Sequence, residues 1–187
     1  MVPFMVDVAI KSTDGNPLVY LPRHDIYPDD LLRGILSKVR TIAVVGASTN
    51  WKRPSFYAMK YLVNKGYKVI PVNPTRVGEE LFGERVIDSI ADYPGKLDMI
   101  DIFRTSEEAY DVTKDVIANK KAKGIEVLWL QLTVRNDKAA EMAEKAGLTV
   151  IMNRCPKIEF ARLSGELGWS GINTKIITAK RLRAPRG

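Results

Sequence analysis

The sequence predicts an α/β fold in which helices cover both faces of a parallel sheet of about five strands. Apolar runs of strand length recur along the chain, and segments of helix length separate them. Strands that alternate with helices in this way are joined by βαβ crossovers, which make the sheet parallel and bury both of its faces. The 187 residues are enough for one such domain with short extensions. The predicted fold class is therefore a Rossmann-like, doubly wound sheet.

The first two helices and the first two strands are predicted from runs of apolar residues and from the residues that begin and end each run. A helix begins at Pro28, because two acids follow it and because apolar residues over 31–39 fall at helical spacing. The first strand, 41–46, is an apolar run that ends in glycine, as is typical of a buried strand. The next helix, 54–65, has proline at its first position and glycine just after its end. The second strand follows at 67–72.

The second half of the domain repeats this alternation after a less regular segment at 78–95. Three more strands are predicted, at 97–103, 124–130 and 148–152. Capping residues at Thr105 and Asn136 indicate the helices between them, and a last helix is expected after Arg154. We expect the strand order 3-2-1-4-5, in which ligands bind outside the carboxyl ends of the strands where the order reverses.

The charge of the chain divides it into a nearly neutral domain and a basic end. The formal net charge is +7, but five of the 29 Lys and Arg residues lie in 175–187, which contains no acid. The other 24 bases face 22 acids. We therefore predict an extension at 1–27, a domain at 28–165 and a basic tail at 166–187. A solvated chain end is the first interpretation of the tail, and nucleic-acid binding through it is an alternative.

Single occurrences of two residue types exclude several kinds of chemistry. One cysteine excludes an intramolecular disulfide scaffold and a Cys-based zinc cluster, so no metal site is expected and a reducing cytoplasm is the simplest compartment. One histidine, His24, excludes chemistry that needs a histidine pair, and we expect it on the surface of the extension. The amino-terminal residues lack a basic n-region, and no apolar stretch approaches the roughly 18–20 residues of a membrane span.

The loop after the first strand carries the groups of a phosphate site. Gly46 allows a tight turn, Ser48 supplies a hydroxyl, and Lys52 and Arg53 supply positive charge where the amino end of a helix favours an anion. The loop lacks the GxGxxG pattern, and the second strand ends without the carboxylate that NAD enzymes place on the ribose. Arg76 instead suits a phosphate on the ribose, as in NADP or in the 3′-phosphate of coenzyme A.

Seven stretches between about residues 31 and 162 carry a resemblance to a known family. They are IAVVGAS (42–48), RPS (53–55), GYKVIPVNP (66–74), FGERV (82–86), DMIDIFR (98–104), VLWLQL (127–132) and MNRCPKIEF (152–160). In order and spacing they resemble the small stand-alone CoA-binding proteins, relatives of the CoA-binding domain of the succinyl-CoA synthetase α subunit. The resemblance implies that Gly46, Ala47 and Ser48 approach the pyrophosphate of coenzyme A and that Arg53, next to Lys52, neutralises it.

The other implied contacts follow the next strands. They are Val72, Asn73, Pro74, Arg76, Phe103, Arg104 and Gln131. Arg76 would lie near the 3′-phosphate, and Phe103 and Arg104 would face the adenine or its phosphates. As alternatives, Phe103 is a core aromatic and Arg104 pairs with Glu107 or Glu108. Gln131, at the end of the fourth strand, is the better candidate for a polar contact than the apolar residues before it.

The function expected from these residues is binding of coenzyme A or an acyl-CoA by a non-catalytic carrier, sensor or regulatory protein. A partner enzyme of acyl-CoA metabolism would accompany such a role, and the oligomeric state stays open. Synthetase relatives use a phosphorylated histidine beyond the CoA domain, whereas His24 precedes it, so ligase chemistry is not supported by this chain alone. An NADP-dependent oxidoreductase is the main alternative.

Cys155 follows the fifth predicted strand at the ligand edge, between Arg154 and Lys157. Nearby positive charge lowers the pKa of a thiol and raises the fraction of reactive thiolate. Because coenzyme A ends in a thiol, the hypothesis is that Cys155 forms a mixed disulfide with bound coenzyme A. The alternative is a small buried cysteine at the end of a strand.

Overall fold

The computed structural model describes residues 24–165, so the greater part of the predicted extension and the whole of the predicted tail lie outside the described residues. The helices within this range are α1 (Asp29–Lys38), α2 (Pro54–Asn64), α3 (Glu108–Lys123), α4 (Asp137–Lys145) and α5 (Pro156–Leu163). The strands are β1 (Thr41–Val45), β2 (Lys68–Val72), β3 (Glu80–Leu81), β4 (Glu84–Arg85), β5 (Met99–Ile102), β6 (Val127–Leu130) and β7 (Thr149–Ile151). Two 3₁₀ turns, Pro74–Arg76 and Ile90–Asp92, lie between β2 and β5.

Five parallel strands form the central sheet in the order β2-β1-β5-β6-β7. The predicted doubly wound parallel fold is confirmed. Counted among these five strands alone, the order is 2-1-3-4-5, so the predicted order 3-2-1-4-5 is wrong. The direction in which strands are added reverses between β1 and β5, and their carboxyl ends form the edge where ligands of such sheets bind.

The difference in order arises in the segment between β2 and β5. Here β3 and β4 pair as a short antiparallel hairpin, and only Ile87 makes a parallel bridge with Val72 on the outer edge of β2. The Ile87 N–H donates to the Pro71 carbonyl at 3.0 Å, and the Asn73 N–H donates to the Ile87 carbonyl at 2.9 Å. One residue thus occupies the place where a further strand was expected, and the next full strand, β5, pairs on the other side of β1.

Two layers of helices enclose the sheet. Leu36 and Phe160 belong to the apolar cluster by which α1, α2 and α5 cover one face, and Val116 and Ala140 belong to the cluster by which α3 and α4 cover the other. Trp129 of β6 is fully buried in the core. Within the described part of the chain, no helix has the length and apolar character needed to cross a membrane.

Residues 24–27, just before α1, pack against the domain. The Tyr27 hydroxyl accepts a hydrogen bond from the Met152 N–H at 2.7 Å and lies 2.9 Å from His24 Nδ1. The other ring nitrogen of His24 lies 3.3 Å from the Glu144 carboxylate. His24 is only 8% exposed, so the expectation that it lies on the surface is wrong. Polar groups on both sides of the ring explain why a histidine is tolerated there.

Candidate functional site

An open cleft of about 1030 Å³ runs along the carboxyl edge of the sheet, among the loops that follow β1, β2, β5, β6 and β7. Most of the residues predicted to form the site line it: Gly46, Ser48, Lys52, Arg53, Asn73, Arg76, Phe103, Arg104, Gln131 and Cys155. Its size is at the upper end of the roughly 300–1,000 Å³ of sites for small molecules. Ala47, Val72 and Pro74 are not among its lining residues.

Asn73 holds the loop after β1 against the end of β2. Its Nδ2 donates to the Ala47 carbonyl at 2.7 Å, and its Oδ1 accepts from the N–H of Thr75 at 3.1 Å. The N–H groups of Gly46 and Ala47 both donate to the Val72 carbonyl, at 2.9 and 3.3 Å. Ala47 and Val72 therefore shape the cleft through their backbone, because their side chains are buried in the core.

The first turn of α2 borders the cleft. Arg53 occupies the N-cap position, forms no side-chain cap, and precedes a proline at the first helical position. The first N–H groups of a helix have no partner within the helix, and together with the helix dipole they favour a bound anion. Lys52 adds a second cation, with its Nζ 5.5 Å from the centre of the Trp51 ring. This corner of the cleft therefore favours a phosphate electrostatically.

Arg76 follows β2 and is oriented by two partners from different segments. Its guanidinium donates to Thr49 Oγ1 at 3.2 Å and to Glu79 Oε1 at 3.2 Å. The pKa of Glu79 is lowered, chiefly by a hydrogen bond from Thr49 and further by the charge of Arg76. Sequence reasoning missed Thr49 and Glu79, because their contact with Arg76 depends on the 3₁₀ turn that folds 74–76 back toward the first loop.

Phe103 and Arg104 extend the cleft at the end of β5. Phe103 is half-buried, packs against the core and lines the cleft, so its two predicted roles are compatible. The guanidinium of Arg104 lies 3.9 Å from the Glu108 carboxylate, one of the two pairings that the sequence offered for it. Thr105 and Glu108 exchange the reciprocal hydrogen bonds of a capping box, at 3.0 and 3.2 Å.

A buried acid lies beneath the cleft, on β5. Asp101 is completely buried, and Gln131 Nε2 donates to both of its carboxylate oxygens, at 3.2 and 3.1 Å. Burial raises the pKa of Asp101 to about 8, and the hydrogen bonds from Gln131 oppose that shift only in part. The contact of Asp101 with Gln131 was not predicted from the sequence. The one available signal was a carboxylate in an otherwise apolar strand.

Cys155 lies at the amino end of α5, 8% exposed, on the wall of the cleft. Burial raises the pKa of its thiol, the Asp101 carboxylate adds to the rise, and the N–H groups of Ile158 and Lys157 oppose it. The expectation that the pKa is lowered is therefore wrong. Desolvation of the thiolate outweighs the hydrogen bonds from these N–H groups and from the Gln131 side chain.

The two bases that flank Cys155 in sequence direct their charges elsewhere. Arg154 donates to the Asp25 carbonyl at 2.5 Å and stands over the Tyr27 ring at 5.6 Å. The Nζ of Lys157 lies 6.0 Å from the centre of the Tyr61 ring. Adjacency in sequence thus did not place these cations beside the thiol, because consecutive side chains leave a loop in different directions.

A second, smaller cavity of about 320 Å³ lies at the opposite, amino edge of the sheet. Its polar groups have partners: Asp98 accepts the N–H groups of Arg40 and Thr41 at 2.7 and 2.9 Å, and Lys38 pairs with Glu126 at 2.5 Å. It lies away from the edge where the strand order favours ligands. The carboxyl-edge cleft is therefore the candidate site.

Comparisons with known proteins agree with the fold and with the cleft at the carboxyl edge. A family model described as "CoA binding domain" matches residues 40–161. The Bacillus subtilis (strain 168) protein YneT is 33% identical over 130 residues, which are 70% of this chain and 92% of that protein. A solved structure from Thermus thermophilus is 37% identical, with a TM-score of 0.68, and covers 73% of this chain and 99% of that one.

A larger protein contains the same fold as one of its parts. The acetyl-coenzyme A synthetase 1 of Ca. Korarchaeum cryptofilum aligns with a TM-score of 0.53 and 23% identity. The alignment covers 65% of this chain but 28% of the synthetase. At this identity the likeness is one of fold.

Proposed function

The chain belongs to the CoA-binding domain family, and from that premise we propose that it binds coenzyme A in the carboxyl-edge cleft. The observation that carries the proposal is the convergence of cations from three loops on one cleft: Lys52 and Arg53 after β1, Arg76 after β2 and Arg104 after β5. A ligand with a pyrophosphate and a separate ribose phosphate offers anionic groups to all three loops at once.

The pyrophosphate is assigned to the loop after β1 and the first turn of α2. Gly46 allows the backbone to turn there at φ +90°, Ser48 supplies a hydroxyl and the Ser55 N–H supplies a donor. Pro54 has no N–H, and the Phe56 N–H donates to the Arg53 carbonyl at 3.1 Å. Arg53 and Lys52 neutralise the charge. In this assignment Asn73, Ala47, Val72 and Pro74 position the loop and do not contact the phosphates with their side chains.

The 3′-phosphate is assigned to Arg76. Its guanidinium is oriented by Thr49 and Glu79, and an oriented guanidinium can form two parallel hydrogen bonds to a phosphate. Phe103 supplies an aromatic surface for the adenine and Arg104 supplies a further cation. Gln131 and Cys155 then face the far end of the ligand.

The proposed role is non-catalytic: a carrier, sensor or regulator that holds coenzyme A for a partner enzyme. In support, His24 is buried between Tyr27 and Glu144 and does not line the cleft. The cleft therefore has no histidine of the kind that the synthetase relatives phosphorylate.

A mixed disulfide with Cys155 is part of the proposal. The Cys155 thiolate attacks one sulfur of coenzyme A disulfide, the new sulfur–sulfur bond forms to that half, and the other half leaves as thiolate and takes up the proton that Cys155 lost. The disulfide itself is the oxidant. Because the pKa of the thiol is raised, the exchange is expected to be slow at neutral pH.

Calorimetric titration of the full chain with coenzyme A, NADP and NAD tests the proposal. Coenzyme A is expected to bind, and both nicotinamide cofactors are expected to bind at least about tenfold more weakly. NAD lacks a partner because the end of β2 presents Asn73 rather than the carboxylate that holds an NAD ribose, and both cofactors are disfavoured because the loop after β1 lacks the GxGxxG pattern. Tighter binding of NADP than of coenzyme A would overturn the proposal in favour of an oxidoreductase.

A further inference from the structure

In the described part of the chain, four of the five cations that line the cleft lie on one half of the sheet edge, and the fifth, Lys157, follows β7. Lys52, Arg53, Arg76 and Arg104 follow β1, β2 and β5, which are neighbours in the order β2-β1-β5-β6-β7. The loops after β6 and β7 form the other half. An elongated ligand with all its phosphates at one end therefore has one favoured direction along the edge.

The β6–β7 half is apolar at its surface. Leu132 after β6, Ile158 at the start of α5 and Tyr57 in the first turns of α2 line the cleft and are 45%, 43% and 46% exposed. Single exposed apolar residues are ordinary, but three that line one cleft are a feature of ligand and interaction sites.

The nearby bases do not make this half cationic. Arg154 is directed to the Asp25 carbonyl, and Arg135 pairs with Asp25 and with Asp137 at 2.5 and 3.1 Å. The ammonium of Lys157 lies over the Tyr61 ring. A charged ligand end would meet one lining cation here, Lys157, against four in the other half, whereas an apolar end would meet three apolar side chains.

Gln131 follows β6 and Cys155 follows β7, so both belong to the β6–β7 half. Gln131 is almost fully buried and its amide is fixed by Asp101 and by the Leu132 N–H, which donates to Gln131 Oε1 at 3.3 Å. Neutral, oriented polar groups suit a thiol or a thioester, neither of which carries a full charge. With the phosphates in the cationic half, the sulfur end of coenzyme A points toward these residues.

We infer that the β6–β7 half is an acyl subsite, and that the preferred ligand is a coenzyme A thioester of an apolar acyl chain rather than free coenzyme A. The inference rests on the proposed function, since it takes the direction of the ligand from its phosphates. The acyl chain occupies the concave surface of Tyr57, Leu132 and Ile158. An aliphatic chain of several carbons fits this surface better than a dicarboxylic one, which would bring a second charge to it.

The expected gain in affinity with acyl chain length follows from the burial of apolar surface. Full burial of one methylene group corresponds to about fourfold in affinity, so a half-open surface gives about twofold for each methylene. From acetyl-CoA to octanoyl-CoA the affinity is therefore expected to rise by about 50-fold or more, and succinyl-CoA is expected to bind more weakly than butanoyl-CoA.

The test is calorimetric titration with coenzyme A and with acetyl-, butanoyl-, hexanoyl-, octanoyl- and succinyl-CoA, on the unmodified chain and on I158N and L132N. Asparagine is neutral and does not repel the phosphates. Each variant is judged by the ratio of octanoyl-CoA to coenzyme A affinity, which is expected to fall at least about fivefold. I26N is the matched control, because Ile26 is an exposed apolar residue that does not line the cleft. The ratio of octanoyl-CoA to coenzyme A affinity of I26N is expected to equal that of the unmodified chain.

The outcomes separate the two proposals. If coenzyme A does not bind, the proposed function fails. If coenzyme A binds with the same affinity as every thioester, the acyl subsite is overturned while the proposed function stands. A rise with chain length that survives in I158N and L132N overturns the assignment to these residues. The competing occupant of this surface is a second copy of the chain, which sedimentation of the unliganded protein detects. If the protein is a dimer that I158N dissociates, and if all thioesters bind with the same affinity, the surface is an interface between copies.

Discussion

The α-carbon of Gly46 lies directly against the backbone of Phe103, so that a Cβ at Gly46 would stand 2.2 Å from the Phe103 carbonyl oxygen. Gly46 also has a φ of +90°, a region that side chains disfavour. This contact joins the loop after β1 to the end of β5 at the point where the strand order reverses. The floor of the candidate site is therefore built from backbone that admits no side chain.

Replacing Gly46 by alanine is expected to destabilise the fold by at least about 2 kcal/mol and to weaken coenzyme A binding, since both the positive φ and the carbonyl clash oppose a Cβ. Urea unfolding measures the first and calorimetry the second. G83A is the matched control, because Gly83 has a φ of +85° with open space around it. An equal loss of stability in both variants would show that the contact with Phe103 costs nothing.

Arg76 is expected to account for the preference for coenzyme A over dephospho-CoA. A charged hydrogen-bonded phosphate contact contributes about 1.5–3 kcal/mol, so R76A is expected to lose about tenfold or more toward coenzyme A and little toward dephospho-CoA. K60A removes an exposed cation from α2 outside the cleft and is expected to change neither affinity. Equal affinities of the unmodified chain for the two ligands would contradict the assignment of the 3′-phosphate.

Asp101 is expected to make the fold less stable as the pH rises. Its pKa is about 8 in the folded protein, against about 3.8 for an ordinary aspartate side chain, so between these values the native state holds a proton that the unfolded chain releases. Stability therefore falls across this window, by at most about 1.4 kcal/mol per pH unit where the protonation states differ fully. D101N keeps a hydrogen-bond acceptor for Gln131 without the charge.

Urea unfolding of both proteins at pH 5.0, 6.5 and 8.0 checks this. The stability of D101N relative to the unmodified chain is expected to increase at each step. Parallel pH dependence in the two proteins would mean that Asp101 is ionised in the native state throughout, held by donors stronger than the Gln131 amide.

The reactivity of Cys155 is expected to follow its environment. The raised pKa predicts slow alkylation by iodoacetamide at pH 7, with a rate that increases steeply toward alkaline pH. Since the Asp101 carboxylate contributes to that pKa, D101N is expected to react faster than the unmodified chain above pH 8. Incubation with coenzyme A disulfide is expected to add one coenzyme A to the intact mass and none to C155S. An adduct on C155S, or none on the unmodified chain, rules out the mixed disulfide.

The sequence was sufficient for the alternation of strands and helices, because each apolar run has clear ends such as Gly46 and Gly147. It misled on the strand order, because one bridging residue, Ile87, takes the place of a strand and no pattern distinguishes the two. Of the residues that line the candidate cleft, those on the loops after strands could be predicted, because their position at the carboxyl end of a strand is visible in the sequence. Thr49, Glu79 and Asp101 were missed, because their partners Arg76 and Gln131 reach them only in the folded chain.

Tyr27 is expected to hold the segment before α1 to the domain. Its buried hydroxyl accepts the Met152 N–H, so Y27F leaves that N–H without its partner and is expected to cost about 1–3 kcal/mol in urea unfolding. Y57F removes an exposed hydroxyl and is expected to change stability by less than about 0.5 kcal/mol. In Y27F the amide of Met152 is also expected to exchange hydrogen faster, because the loss is local to the end of β7. Unchanged exchange at Met152 would mean that water replaces the hydroxyl without loss.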